Sequence, residues 1–202
     1  MYPPIAEIDY PIDWDKIPID KIKQNLIPFF SKENLEYLYK QAVASGVETD
    51  EAVLDTMNRA ANSSAKGYLP WWKTFRLEKR QLKGYLKQIN DDLGFGLNES
   101  ITFYWYPANV TLPMHVDIRS CSINLVLSAK LAPLRFKEYG DFYYEQFIFD
   151  GLNNSHTVPI KWSERLTLQL AFFGVPYEEV RRRLEDNGLL TESSRQIQRS
   201  IT

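Results

Sequence analysis

The chain has 202 residues, which suits one domain with one substantial core. Hydrophobic residues make up 44% and charged residues 25%, as in ordinary globular proteins, and the net charge of −2 provides no electrostatic footprint for a nucleic-acid partner. No segment approaches the roughly 18 apolar residues of a membrane-spanning helix, so no membrane partner is expected. The first residues lack the basic and apolar regions of a signal peptide. The single Cys121 excludes an intramolecular disulfide and a thiolate zinc cluster, which favours a cytoplasmic location.

The first half of the sequence is predicted to be mainly helical, with residues 1–98 supporting the rest of the domain. Four amphipathic segments carry this prediction, because apolar residues recur at helical spacing between capping residues and helix breakers. They cover residues 21–27, 32–44, 50–61 and 77–93.

The pattern changes near residue 100, where β-branched and aromatic residues form short alternating runs typical of strands. These runs predict strands over residues 101–106, 122–127, 134–137, 142–149 and 166–173. A final helix is predicted over 177–186, within a C-terminal helix and tail that spans 176–202. Helices followed by short strands predict an α+β domain, with a jelly-roll-like barrel over residues 99–175 and the N-terminal helices packed on one sheet.

Both histidines of the chain belong to a candidate metal site. His115 and Asp117 lie at positions i and i+2, so an extended backbone directs both side chains to one face. His156 is expected to join them from a distant strand or turn. Two imidazoles and one carboxylate on one face of an octahedron are typical of non-haem iron(II) oxygenases. The alternative is that the two histidines are ordinary core or surface residues, because a His followed by an acidic residue is a common pattern.

A second candidate site lies at the start of the strand with the clearest alternation of apolar and polar residues. Arg165, Thr167 and Gln169 share one face of this strand, while its leucines share the other. If the leucines pack on the helical layer, Arg165 points into the barrel, where a buried guanidinium needs an anion. The distal carboxylate of 2-oxoglutarate would supply one, with a further hydrogen bond from Thr167. The alternative is a solvated polar face with Arg165 in water.

Taken together, the sequence His115-Val-Asp117, then His156, then Arg165-Leu-Thr167 resembles the motif of the 2-oxoglutarate- and iron(II)-dependent dioxygenases. The resemblance covers about residues 100–175. It implies a double-stranded β-helix core of the jelly-roll or cupin-like kind, an Fe(II) site and oxidative decarboxylation of 2-oxoglutarate with O2. The short separation between Asp117 and His156 implies tight loops between the core strands.

Three further residues are candidates for cosubstrate contacts. Members of this superfamily often place a tyrosine on the strand before the first ligand, and Tyr104 or Tyr106 matches that position. Asn124, in the next strand, matches a position that is often polar. The alternatives are an aromatic core pair for the tyrosines and a solvent-facing side chain for Asn124. Arg119 is expected to contact the substrate or the solvent.

The expected reaction is hydroxylation of a C–H bond in a peptidyl side chain or small molecule, with release of succinate and CO2. Asp117 argues against a halogenase, because halogenases of this class leave that position free. Two other interpretations stay open. One is a cupin-like protein with zinc or manganese on the same ligands, and the other is a metal-free β-barrel that binds a partner. A nucleic-acid demethylase is disfavoured by the acidic charge balance. The sequence leaves the substrate and the oligomeric state unassigned.

Overall fold

The computed structural model describes most of the chain. The described residues are 3–29, 31–44 (without the side chain of residue 42), 72–108, 114–117, 119–128, 133–159 and 164–194. The predicted helix over 50–61 lies outside these ranges. Within them, every helix is too short or too polar to cross a lipid bilayer.

An antiparallel sheet of seven strands forms the larger layer of the structure. Its order is β1-β8-β5-β10-β4-β3-β2. The bounds are Ile5–Glu7 for β1, Ile27–Pro28 for β2, Lys73–Glu78 for β3, Ser100–Tyr106 for β4, Cys121–Val126 for β5, Gln146–Phe149 for β8 and Arg165–Phe172 for β10. Strands β5, β4 and β10 match the predicted strands to within two residues at each end, because their aromatic and β-branched runs are buried on both faces.

A smaller antiparallel sheet carries the order β7-β6-β9 and faces the same cavity as the larger one. Strand β6 is Leu134–Phe136, β7 is Gly140–Phe142 and β9 is His156–Thr157. His115 extends this sheet by a single antiparallel bridge to His156.

The leucine face of β10 packs against helices, as predicted. Leu166, Leu168 and Leu170 belong to one buried cluster with residues of two helices, α3 (Gly84–Gly94) and α4 (Tyr177–Asp186). Burying a leucine side chain contributes about 1.5–3 kcal/mol, so this layer fixes which face of β10 points away from the helices. Arg165, Thr167 and Gln169 therefore face the cavity between the two sheets.

The N-terminal half adds two more α-helices and two 3-10 helices, Trp14–Lys16 and Lys79–Gln81. Helix α1 spans Ile19–Gln24 and contributes Ile22 to the buried cluster, while α2 spans Lys32–Ala44, which matches its predicted bounds. Helix α2 covers part of the opposite face of the large sheet, because Asn34 accepts a hydrogen bond of 3.3 Å from Arg76 of β3. The predicted α+β class is confirmed, and helices contact both faces of the large sheet.

Three expectations differ from the structure in instructive ways. The helix predicted over 77–93 begins at Gly84, because Gly84 has φ +53° and residues 77–78 belong to β3. The predicted strand over 142–149 is two strands, since β7 lies in the small sheet and β8 in the large sheet. Residues 1–98 also contain strands β1, β2 and β3. Strands β1 and β2 have only three and two residues, and the last two residues of β3 fall within the predicted helix.

Candidate metal centre and anion pocket

A backbone bridge places the two histidines side by side. The amide of His115 donates to the carbonyl of His156 at 2.9 Å, and the amide of His156 donates to the carbonyl of His115 at 2.8 Å. Their rings lie 4.5 Å apart between centroids. Asp117, two residues along the chain, shares the face of His115, because alternate residues of an extended chain point the same way.

The three side chains converge on one point. Nε2 of His115 lies 3.6 Å from Oδ1 of Asp117, and Nε2 of His156 lies 3.9 Å from Oδ2 of the same carboxylate. One ligand atom from each residue falls within 4.8 Å of the others. Two imidazole nitrogens and one carboxylate oxygen suit a first-row transition metal, and three ligands leave positions open for other molecules.

The Asp117 carboxylate is held on two sides. Nε of Arg119 donates to Oδ2 at 2.9 Å, and Gly151 packs so closely that a Cβ there would lie 2.5 Å from Oδ2. Burial alone raises the pKa of Asp117, but the Arg119 charge and the two histidines outweigh that effect and hold the pKa at about 2. The carboxylate is therefore ionised and oriented, as a metal ligand must be.

His156 is oriented through its second ring nitrogen. Nδ1 lies 2.9 Å from the carbonyl oxygen of Asn154. A carbonyl oxygen can only accept, so Nδ1 carries the proton and directs Nε2 toward Asp117. Burial lowers the pKa of His156, which keeps the imidazole neutral and its Nε2 lone pair available.

The cluster opens into a cavity between the two sheets. The cavity is lined by Trp72, Tyr104, Tyr106, His115, Asp117, Arg119, Asn124, Leu134, Phe147, Phe149, His156, Val158, Arg165, Thr167 and Gln169. All eight residues that the sequence analysis selected are in this set. The structure thus brings the predicted residues together in space, while the role of each in binding stays a prediction.

Arg165 is a buried cation without a described counterion. Arg165 is 4% exposed, and its Nε donates to Oγ1 of Thr167 at 3.1 Å. Its Nη1 is buried and has no hydrogen-bond partner among the described residues. Burial lowers the pKa of Arg165, the effect expected when no carboxylate compensates the charge. A buried guanidinium in this state fits an anionic ligand that enters the cavity.

The other predicted contacts are already bonded to neighbours. Tyr104 accepts a 3.3 Å hydrogen bond from Nη1 of Arg119, and Asn124 accepts one of 3.0 Å from Gln169. Tyr106 lies near Arg165, and burial raises the pKa of its phenol. Both tyrosines and Asn124 line the cavity, so a solvent-facing Asn124 is excluded.

Three further residues, which were not selected as metal ligands or cosubstrate contacts, shape the cavity. Gln169 accepts a 2.6 Å hydrogen bond from Nη1 of Arg119, and the alternation along β10 already placed Gln169 on the face of Arg165. Arg119 was expected to contact substrate or solvent, but it binds Asp117. Trp72 stacks on Phe29 with ring centroids 4.1 Å apart and closes the cavity near Tyr106. Only the fold reveals that contact, because Phe29 and Trp72 are distant in sequence.

No protein-family model matches the chain, and no curated protein matches its sequence. Similar solved structures include a prolyl-4-hydroxylase from Pseudomonas putida, with 16% identity, a TM-score of 0.38, and 77% of this chain and 96% of that chain covered. A prolyl hydroxylase from Trichoplax adhaerens, solved with a peptide fragment of a hypoxia inducible factor, has 14% identity and a TM-score of 0.43 over 81% of this chain and 89% of that chain. A 2OG-Fe(II) oxygenase family oxidoreductase from Burkholderia pseudomallei has 13% identity and a TM-score of 0.40 over 52% and 68%.

The three motif residues on which the resemblance to the 2-oxoglutarate- and iron(II)-dependent dioxygenases rests, His115, Asp117 and His156, form one cluster in the structure.

Proposed function

We propose that the protein is a 2-oxoglutarate-dependent non-haem Fe(II) dioxygenase that hydroxylates a C–H bond in a peptidyl side chain or a small molecule. The observation that carries the proposal is the shared cavity of a three-ligand cluster and an uncompensated buried arginine. A metal site alone is compatible with many reactions. A metal site that faces an anion pocket fits a cosubstrate whose two ends are an oxo acid and a distant carboxylate.

The donor set supports Fe(II) as the metal. His115, Asp117 and His156 offer two imidazole nitrogens and one carboxylate oxygen, and a structural zinc site would normally close with a fourth protein ligand. No fourth His, Cys, Asp or Glu joins the cluster among the residues that the structure describes.

Arg165 and Thr167 support 2-oxoglutarate as the cosubstrate. The buried Nη1 of Arg165 is available to donate to a carboxylate, and such charge-assisted bonds are the stronger ones in proteins. The hydroxyl of Thr167 accepts from Nε of Arg165 and keeps its own proton for donation to the same carboxylate. These two residues would thus bind one end of the cosubstrate and direct the other toward the metal ligands.

The remaining cavity residues form two walls, one apolar and one polar. Phe147, Phe149 and Val158 form an apolar wall that excludes water, while the hydrogen-bonded set of Arg119, Gln169 and Asn124 forms a polar wall. Fe(II) and 2-oxoglutarate, when bound, would supply O2 activation coupled to decarboxylation of the oxo acid. The residues of this chain would bind, orient and shield these groups.

The difference in exposure between the two histidines supports a direction of substrate entry. The side chain of His115 is 31% exposed and that of His156 only 4%. Arg165 is buried as well, at 4% exposure. The cosubstrate would therefore lie deep in the cavity, and the substrate would approach from the side of His115.

We also propose a double-stranded β-helix within a single domain. The run from β4 to β10, with the His115 segment counted as a strand, passes between the sheets in the order large, small, large, small, small, large, small, large. This order supports two interlocking four-stranded units, the pattern of a jelly roll. Residues 1–98 and 176–202 would support this core, and the cytoplasmic location inferred from the single Cys121 stays a prediction.

The direct test is anaerobic addition of Fe(II) and 2-oxoglutarate to the purified protein. We expect a weak visible charge-transfer band and, after admission of O2, formation of succinate. His115→Ala should abolish both, because it removes a ligand. Val116→Ala is the matched control, since Val116 is 55% exposed, faces away from the cluster and should leave both signals unchanged.

The other interpretations give different results in this experiment. A cupin-like metal protein would retain zinc or manganese on the same ligands and form no succinate. A metal-free binding module would purify without metal and show no change in thermal stability with Fe(II) or Mn(II). Either result would refute the proposed function.

A further inference from the structure

A short turn after β8 lies directly behind two of the three candidate ligands. Asp150, which is 8% exposed, accepts hydrogen bonds from the backbone N–H of Asn153 at 3.2 Å and from its side-chain amide at 3.1 Å. The side-chain amide of Asn154 donates to the other carboxylate oxygen of Asp150 at 3.0 Å. The turn is therefore folded around one buried carboxylate, as expected for an Asx-type turn.

The turn determines the orientation of His156. The carbonyl of Asn154 accepts the hydrogen bond from Nδ1 of His156 at 2.9 Å. The hydrogen bond from the Asn154 side-chain amide to Asp150 holds the residue that carries this carbonyl. Asp150 thereby acts through Asn154 on the direction of Nε2 in His156.

The same turn determines the position of Asp117. The carbonyl of Gly151 accepts the backbone N–H of Asp117 at 2.8 Å. The Cα of Gly151 also packs against the Asp117 carboxylate, where a Cβ would approach Oδ2 to 2.5 Å. One turn thus contacts two candidate ligands from different parts of the chain. It bonds the backbone and packs against the side chain of Asp117, and it accepts the ring hydrogen bond of His156.

We propose that Asp150 is a positioning residue, which holds Asp117 and His156 in the geometry that a metal ion requires. The proposal rests on the metal site of the proposed function. Asp150 itself lies outside the group of ligand atoms that converge. It acts on the ion only through the turn, as outer-shell partners of metal ligands do.

An isosteric variant and a charge-preserving variant of Asp150 test whether this residue acts through its hydrogen bonds or through its charge. Asp150→Asn keeps the shape but replaces one acceptor oxygen by a donor, so at least one amide of Asn153 or Asn154 loses its partner. Asp150→Glu keeps the charge but moves it by one methylene group. Asp141→Asn is the matched control, because Asp141 lies in the small sheet and pairs with Arg135 outside the cavity.

The first measurement is calorimetric titration of the metal-free protein and its variants with Mn(II). We expect Asp150→Asn and Asp150→Glu to weaken binding by about 10- to 100-fold, the usual effect of losing an outer-shell partner, and Asp141→Asn to bind as the wild type does. Recovery of wild-type affinity in Asp150→Glu would show that the charge of Asp150 acts directly on the ion, and would overturn the proposal.

The second measurement needs no metal. Nitrogen-15 NMR of the His156 ring at alkaline pH should show the Nδ1–H form alone in the wild type and a mixture of both forms in Asp150→Asn. A single Nδ1–H form in both proteins would overturn the proposal. If the wild type binds no Mn(II) but the ring changes as expected, the proposed function fails and the positioning role of Asp150 stands.

Discussion

Replacement of Arg165 by methionine tests the anion pocket most sharply, because affinity and stability should change in opposite directions. The guanidinium has a buried Nη1 without a partner among the described residues. Without a ligand, this charge costs free energy, so its removal should leave the free energy of unfolding unchanged or raise it. With 2-oxoglutarate present, the same removal should weaken binding.

The magnitude follows from the number of bonds that Arg165 can offer. A charge-assisted hydrogen bond contributes about 1.5–3 kcal/mol, which corresponds to about 10- to 150-fold in Kd. A carboxylate bound by two parallel bonds would reach the upper end of that range. Arg165→Lys should fall between wild type and Arg165→Met, because lysine keeps the charge but loses the planar fork.

Calorimetric titration with 2-oxoglutarate in the presence of Mn(II), together with urea denaturation of the unliganded protein, measures both effects. Arg181→Met is the matched control. Arg181 is 1% exposed, but its Nη2 donates to the carbonyl of Ser194 at 2.8 Å outside the cavity. That variant should lose stability and keep its affinity. An unchanged affinity in Arg165→Met, or a large loss of its unliganded stability, would refute an anion-binding role.

Two further variants test the support of Asp117. Gly151→Ala should lower Mn(II) affinity by about tenfold or more, since the new Cβ would displace the Asp117 carboxylate. Calorimetric titration measures this affinity, and a wild-type value would contradict the close packing of Gly151 on Asp117. Arg119→Met should lower the free energy of unfolding by about 3 kcal/mol, because it leaves the charge of Asp117 buried without its partner. Mn(II) should restore part of that loss in urea denaturation, and equal losses with and without metal would contradict this interpretation.

The alternation along β10 made the position of Arg165 in the cavity predictable. Leucines at every second position require a buried apolar layer, so Arg165, Thr167 and Gln169 had to share the other face. The scarcity of histidine helped in the same way, because a chain with only two histidines offers few metal sites. Local periodicity, spacing and the resemblance to a known motif thus selected residues that the fold brings to one cavity.

The contacts that hold the candidate ligands in place were not predictable by the same reasoning. Asp150 and Gly151 mark a turn in the sequence, but nothing local indicates that this turn packs behind Asp117. That contact depends on β8 and the His115 segment belonging to different sheets, which is a long-range property. The division of residues 142–149 between the two sheets was missed for the same reason, since periodicity reports the faces of a strand and not its partners.

The backbone bridge between His115 and His156 has a consequence for how such a protein can diversify. The spacing of the two histidine backbones is held by a pair of peptide hydrogen bonds, in which no side chain takes part. Side-chain replacements at exposed positions beside the bridge can therefore change the surface next to the cavity while the spacing of the two histidines is retained. A library randomised only at Met114 and Val116, which are 44% and 55% exposed beside the bridge, should yield altered substrate preference more often than loss of Mn(II) binding.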